Sequence, residues 1–196
     1  MSYRDLPGID NTILEGVIAL ASENGIAKIS SRTLAKRCGI SDFTVFDHFK
    51  TKKSLLYSAY ALISAKMNAF LIQSGTKDRD PHKVYTAMVD YLVDHPTYLY
   101  YITSYTSVKD FDLFKEAPDE SIYTNFIKTY VDYFPVIKNL TDKEIILFWF
   151  YIGQCATFFA TLIVKGEVEN TPKSKEMIAD IAFSYLLSKK WEDLIS

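Results

Sequence analysis

The chain has 196 residues, 48% hydrophobic and 23% charged, with a formal net charge of −2, which excludes a disordered polypeptide and leaves room for one large domain or two small ones. Only 7 glycines and 6 prolines occur, too few for an all-β chain with many tight turns. Cys38 and Cys155 lie far apart in sequence and fit no metal-ligand spacing, so a disulfide scaffold is set aside and a reducing compartment is expected.

The first eight residues carry no apolar stretch of signal-peptide length. Residues 9–24 predict a helix, with Ile9, Ile13, Leu14, Val17, Ile18, Leu20 and Ala21 in one broad apolar stripe. Asp10 or Asn11 suits its start, and Asn24-Gly25 suits its end. Ser30-Ser31 offers the cap of a short second helix whose apolar face is Leu34, Ala35 and Cys38, stopped by Gly39. Ile40 is a lone hydrophobe in the turn that follows, read as buried. Ser41 then caps a third helix from Asp42 to Phe49, with Val45 and Phe49 facing inward.

A polar stretch from Lys50 to Ser54 leads to a long helix expected from about Ser54 to Ser74. Pro81 opens a helix to Asp94, and Pro96 opens a short aromatic one to Ser107. A looser connection from Val108 to Ala117 precedes a helix from Pro118 to Phe134, stopped by Pro135. Thr141, with Glu144 three residues on, reads as a capping box for a helix to about Lys165. A last helix is expected from Pro172 to Ile195. No segment alternates cleanly enough to be a strand. The reading is an all-α chain of about nine helices, with a three-helix head over residues 1–53 and a helical domain over residues 54–196.

The near-neutral total hides an asymmetry. Between Lys28 and Lys53 stand 7 basic residues against Asp42 and Asp47, a local charge of +5. Charge alone describes an ordinary solvated surface. Here it lies on a helix-turn-helix pattern: a capped short helix, a glycine turn, and a second capped short helix with polar residues outward. Such a unit lays its second helix in the DNA major groove, where base edges show distinct donor and acceptor patterns. Two short helices around a glycine are by themselves a weak signal.

The detailed residues sharpen it. Asn24-Gly25, Ser30, Leu34-Ala35, Gly39-Ile40-Ser41, Thr44-Val45-Phe46-Asp47-His48-Phe49, Lys52 and Leu55 follow one order and spacing. Over residues 9–60 the chain resembles the N-terminal head of the TetR family of bacterial regulators, the His48-Phe49 pair followed by Lys52 being the most specific part. The resemblance implies that Ser30, Arg32 and Lys52 contact phosphates, that Ser41, Thr44 and His48 contact phosphate or sugar, and that Asp42 and Phe43 face base edges. Lys36, Lys50 and Lys53 would add long-range attraction. The chain departs from the family's usual glycine at Phe43 and from its usual tyrosine at Phe46, whose lost hydroxyl removes one phosphate contact worth about 1 kcal/mol. Phe43 has two readings: contact with a thymine methyl, or sideways packing that reads nothing. Asp42 has two as well: a base contact, or a stabiliser of the first helical turn.

The resemblance also implies a homodimer through residues 141–165 and 172–195 that binds a palindromic operator and is released by a small-molecule inducer, with no cofactor, in the cytoplasm on the nucleoid. A repressor is preferred to an activator. Candidate inducer contacts are Met88, Tyr91, Tyr105, Trp149 and Gln154, with Met67, Tyr101 and Phe126 as further aromatic or sulfur-bearing positions; for each, plain core packing is the preferred reading. Residues 145–164 include 16 apolar residues of 20, long enough to span a bilayer, but Gly153, Gln154, Thr157 and Thr161 interrupt them and no second such segment stands out. A helix buried between its own core and a partner subunit is preferred. Two other classes stay open. One is a head that now binds protein, favoured by Phe43, Phe46 and the two acids. The other is a small all-α enzyme, although His48, His82 and His95 fall in separate elements and no catalytic motif accompanies them.

Overall fold

The computed structural model describes residues 8–75, 80–108 and 138–187. Among the described residues there are eight α-helices and no strand: α1 Gly8–Asn24, α2 Ser31–Cys38, α3 Asp42–Phe49, α4 Lys52–Gly75, α5 Pro81–Asp94, α6 Pro96–Thr106, α7 Asp142–Val164 and α8 Pro172–Leu187. A single 3-10 turn, Ile26–Lys28, joins α1 to α2. The expected connection over 109–117, the helix over 118–134 and the last residues of the final helix lie outside the described residues. Two compact units form, one from residues 8–69 with 95–108, the other from residues 70–94 with 138–187.

In the first unit α1 is the spine. Ile13, Leu14, Val17, Ile18 and Ala21 are buried, and they meet Leu34 and Ala35 of α2, Val45 and Phe49 of α3, and Leu55 of α4 in one apolar core. Ile9, expected in that stripe, lies on the exposed side, because α1 starts one residue earlier and its first turn reaches past the core. For the same reason neither Asp10 nor Asn11 is the cap; Asp10 sits inside the first turn. Gly16 permits the close approach of α2, since a Cβ there would stand 2.7 Å from Cys38 Sγ and 3.0 Å from Leu34 Cδ1.

Helix α4 begins at Lys52 rather than Ser54. Thr51 is the reason: its hydroxyl accepts from the Ser54 amide at 3.0 Å, and its carbonyl accepts from the Leu55 amide at 3.0 Å. The polar stretch is therefore a turn plus the first turn of a helix. Farther along, α4 is tied to its neighbours by half-buried polar groups. The Tyr101 hydroxyl of α6 donates to the Leu56 carbonyl at 2.9 Å. The Lys66 ammonium donates to Glu15 of α1 and, at 3.1 Å, to the Tyr98 hydroxyl of α6, which in turn donates to Glu15 at 3.0 Å. Burial opposes the Lys66 charge, but these bonds outweigh it and raise its pKa.

In the second unit α5 packs along α7, and α8 packs on α5. Val84, Tyr85, Met88, Val89 and Leu92 of α5 meet Ile152, Ala156 and Ala160 of α7 and Ala182 and Phe183 of α8 in its core. Thr141 and Glu144 form the expected capping box at the start of α7. The threonines inside this apolar helix satisfy themselves: Thr157 donates to the Gly153 carbonyl at 2.7 Å and Thr161 to that of Thr157 at 2.8 Å. By length and composition α4 as well as α7 could cross a membrane, through Lys52–Gln73 and Asp142–Val164.

Candidate nucleic-acid interface

The turn-and-cap chemistry of residues 30–51 sets the geometry of the head. Ser30 caps α2 by accepting from the Thr33 amide at 3.2 Å, while its own amide donates to the Thr33 hydroxyl at 3.0 Å. Gly39 closes α2 in the left-handed conformation, with φ of 68°, where any other L residue is strained. Ile40 follows, half-buried rather than fully buried, its amide bonded to the Ala35 carbonyl at 3.1 Å. Ser41 caps α3, accepting from the Thr44 amide at 3.1 Å and sharing a hydroxyl bond with Thr44 at 2.8 Å. Two short helices are thus held at a fixed turn by local bonds, with α3 on the outside.

The outer face of α3 is unusual. Phe43 is 74% exposed and Phe46 60% exposed, three residues apart and so on one face. Sideways packing of Phe43 is ruled out among the described residues. Each acid of this region has a base nearby: Asp42 lies 4.0 Å from the exposed Arg32 without a hydrogen bond, and Asp47 accepts from Lys50 at 2.9 Å. The hydrogen bond and the charge of Lys50 lower the Asp47 pKa. His48 directs Nδ1 to Asp10 of α1, which anchors the far end of α3 to the spine. Lys52 donates to the Ala27 carbonyl of the 3-10 turn at 2.9 Å. Lys50, which ends α3, has a positive φ of 51°.

Beside α3 lies a concavity of about 270 Å³, lined by Ser30, Ser31, Phe46, Lys50, Thr51 and Lys52 over a floor of Ile29, Val45, Phe49 and Leu55. Its lining is mostly apolar, and the polar groups at its edge already have partners: the Ser30 and Thr51 hydroxyls cap α2 and α4, the Lys50 ammonium donates to Asp47 and the Lys52 ammonium to the Ala27 carbonyl. The structure therefore gathers Ser30, Phe46 and Lys52 around one hollow and places Asp42 and Phe43 on the exposed turn of α3. Arg32, 92% exposed at its side chain, stands at the outer edge of α2. Ser41 and Thr44 are spent on the cap of α3, and His48 on Asp10.

The proposed inducer contacts divide. Tyr105 packs in the first unit against Tyr60 and Tyr101, with ring centroids 5.2 and 6.0 Å away. Met88 and Tyr91 are buried in the second unit, Tyr91 against Phe70 with centroids 5.1 Å apart. Trp149 and Gln154 are half-buried, so the Gln154 amide keeps access to water and is not the buried amide expected. Phe126 lies outside the described residues. One residue was missed. Tyr85 of α5 is 1% exposed, its hydroxyl has no hydrogen-bond partner, and its ring meets Phe183 edge-on at 5.6 Å. Burial raises its pKa strongly, with smaller contributions from Cys155 and Tyr151 nearby. No feature of the sequence around Tyr85 marks it out, since the orphaned hydroxyl depends on packing between α5, α7 and α8.

A three-helix head in which α2 and α3, both short and capped, meet at a glycine turn with α3 exposed defines a helix-turn-helix protein. Residues 13–59 match the family described as bacterial regulatory proteins, tetR family. An HTH-type transcriptional regulator of Staphylococcus aureus (strain bovine RF122 / ET3-1) is 32% identical over 128 residues, which cover 55% of this chain and 66% of that protein, just under two thirds of its length. Among solved structures, a TetR family transcription regulator from Marinobacter aquaeolei VT8 shares the fold with a TM-score of 0.69 at 17% identity, covering 90% of this chain and 94% of that one. A regulator from Shewanella sp. PV-4, described as of the tetR family, does so with a TM-score of 0.66 at 15% identity, covering 92% and 96%. The head of the chain thus matches the tetR family of bacterial regulatory proteins, and the fold of the chain is shared with solved regulators of that family.

Proposed function

We propose that this protein is a DNA-binding repressor that holds a palindromic operator as a homodimer in the cytoplasm and is released by a small-molecule inducer. The observation that carries the reading is the exposed, capped α3 of a helix-turn-helix, on a segment of charge +5 in a chain of net charge −2. Ser30, Arg32 and Lys52 serve as phosphate contacts, and Asp42 and Phe43 face the bases. Ser41, Thr44 and His48 act mainly by holding α3 in place, which matters because a recognition helix reads bases only in a fixed register.

The dimer reading rests on α7 and α8. Phe158 and Val164 of α7 and Met177 and Ile181 of α8 are large apolar side chains left exposed, and Met177 and Ile181 lie one turn apart on one face. A second copy would cover them and set two heads on one duplex. The inducer reading rests on Tyr85. A hydroxyl buried without a partner costs about 1–3 kcal/mol, and a ligand oxygen beside it would recover that.

The test is selection of genomic DNA fragments by the purified protein, followed by a salt titration on the best of them. The expected result is an inverted-repeat site whose affinity falls linearly in log–log with salt. Failure of the folded protein to enrich any sequence would overturn the reading and favour a head that contacts protein through Phe43 and Phe46.

A further inference from the structure

We infer that Phe43 is the main sequence-reading residue of this protein and that it reads the C5 methyl group of a thymine in the major groove. The inference rests on the DNA-binding function proposed above and deepens it. Three observations carry it. Phe43 stands in the first turn of α3, the part of a recognition helix that reaches base edges, and its ring is 74% exposed, so its apolar surface serves no packing within the described head. Two polar side chains near it are engaged elsewhere: the Thr44 hydroxyl is shared with Ser41 at 2.8 Å, and Asp47 accepts from Lys50 at 2.9 Å; Asp42, beside Phe43, offers acceptors alone and repels backbone phosphate. Finally, α3 has the sequence Asp-Phe-Thr-Val-Phe-Asp-His-Phe, with no arginine, lysine, asparagine or glutamine. Those are the side chains that pair bidentately with guanine or adenine.

A phenyl ring has no donor or acceptor to offer. The one apolar feature on a major-groove base edge is the C5 methyl of thymine, so that is the feature Phe43 can discriminate. Phe46, one turn on, also lines the hollow beside α3 and stands farther from the N-terminal turn that enters the groove. The same methyl occurs on 5-methylcytosine, which allows the methyl to be tested apart from the rest of the base pair.

The experiment uses the full-length protein and its selected operator, with thymine replaced by uracil one position at a time and affinity read by fluorescence anisotropy. Burial of one methyl-sized group predicts one position in each half-site where uracil weakens binding about fourfold. At that position a 5-methylcytosine pair should bind about fourfold better than the cytosine pair. Phe43→Ala should bind thymine and uracil duplexes equally there. Its surface position predicts an unchanged melting temperature, which checks that it folds. Sensitivity to uracil that survives in Phe43→Ala overturns the inference. So does an enriched operator with no uracil-sensitive position, or equal binding of cytosine and 5-methylcytosine. Failure to enrich any operator overturns the proposed function itself, and this inference with it.

Discussion

The two compact units are specified by different physics. In the head, polar groups do the fixing: Ser30, Ser41 and Thr51 cap three successive helices, His48 is tied to Asp10, and Lys52 to the Ala27 carbonyl. In the second unit the core is held mainly by apolar area; each unit also buries one polar atom without a hydrogen-bond partner, Asn68 Oδ1 in the first and the Tyr85 hydroxyl in the second. Directional bonds hold a short recognition helix at one angle, which the burial of a few side chains cannot do. A core built by area alone can instead tolerate an imperfect polar fit where a ligand is to be admitted.

Charge reversal in the head is the sharpest way to break that contrast. Arg32→Glu with Lys52→Glu should weaken operator binding about a thousandfold or more at physiological salt, while leaving the second unit's assembly intact; mobility shift and sedimentation report the two separately. Next in size is Ile181→Asp on α8. Exposed in the single chain, Ile181 tolerates a charge there, but two such charges buried across a two-fold axis should convert a dimer to a folded monomer at micromolar concentration. Unchanged sedimentation would place the dimer contact elsewhere. Gly16→Ala comes third. Its new methyl would meet Cys38 and Leu34, and chemical denaturation should show a loss of about 2 kcal/mol. Smallest, and opposite in sign, is Tyr85→Phe. Removing an unpaired buried hydroxyl should stabilise the free protein by about 1 kcal/mol and abolish inducer response. No gain in melting temperature would mean that the hydroxyl is satisfied in solution.

Much of the head is legible in the sequence because its rules are local. Ser30, Gly39 and Ser41 act within a few residues of themselves, and so does the Thr141–Glu144 box, which is why those starts and stops stand where the pattern puts them. What depends on long-range packing was not legible. Gly16 reads as an ordinary helix glycine until α2 lies against it. Asp42 and Asp47 read as misplaced acids until Arg32 and Lys50 are seen beside them. Tyr85 is one tyrosine among 14 until its hydroxyl is found buried. The start of α4 was misread by two residues, because Thr51 was taken as part of a polar linker when it is the cap.

The pairing of Arg32 with Asp42 and of Lys50 with Asp47 bears on how the protein responds to its ionic surroundings. A cation that turns from a carboxylate to a phosphate releases a counterion from the duplex, but the abandoned carboxylate recruits another from solution. For those two positions the exchange is close to balanced. The slope of log affinity against log salt should therefore be shallower than about 0.9 for each basic residue in contact. The shortfall in that slope would count how many of the head's cations turn to the duplex from a carboxylate rather than from water.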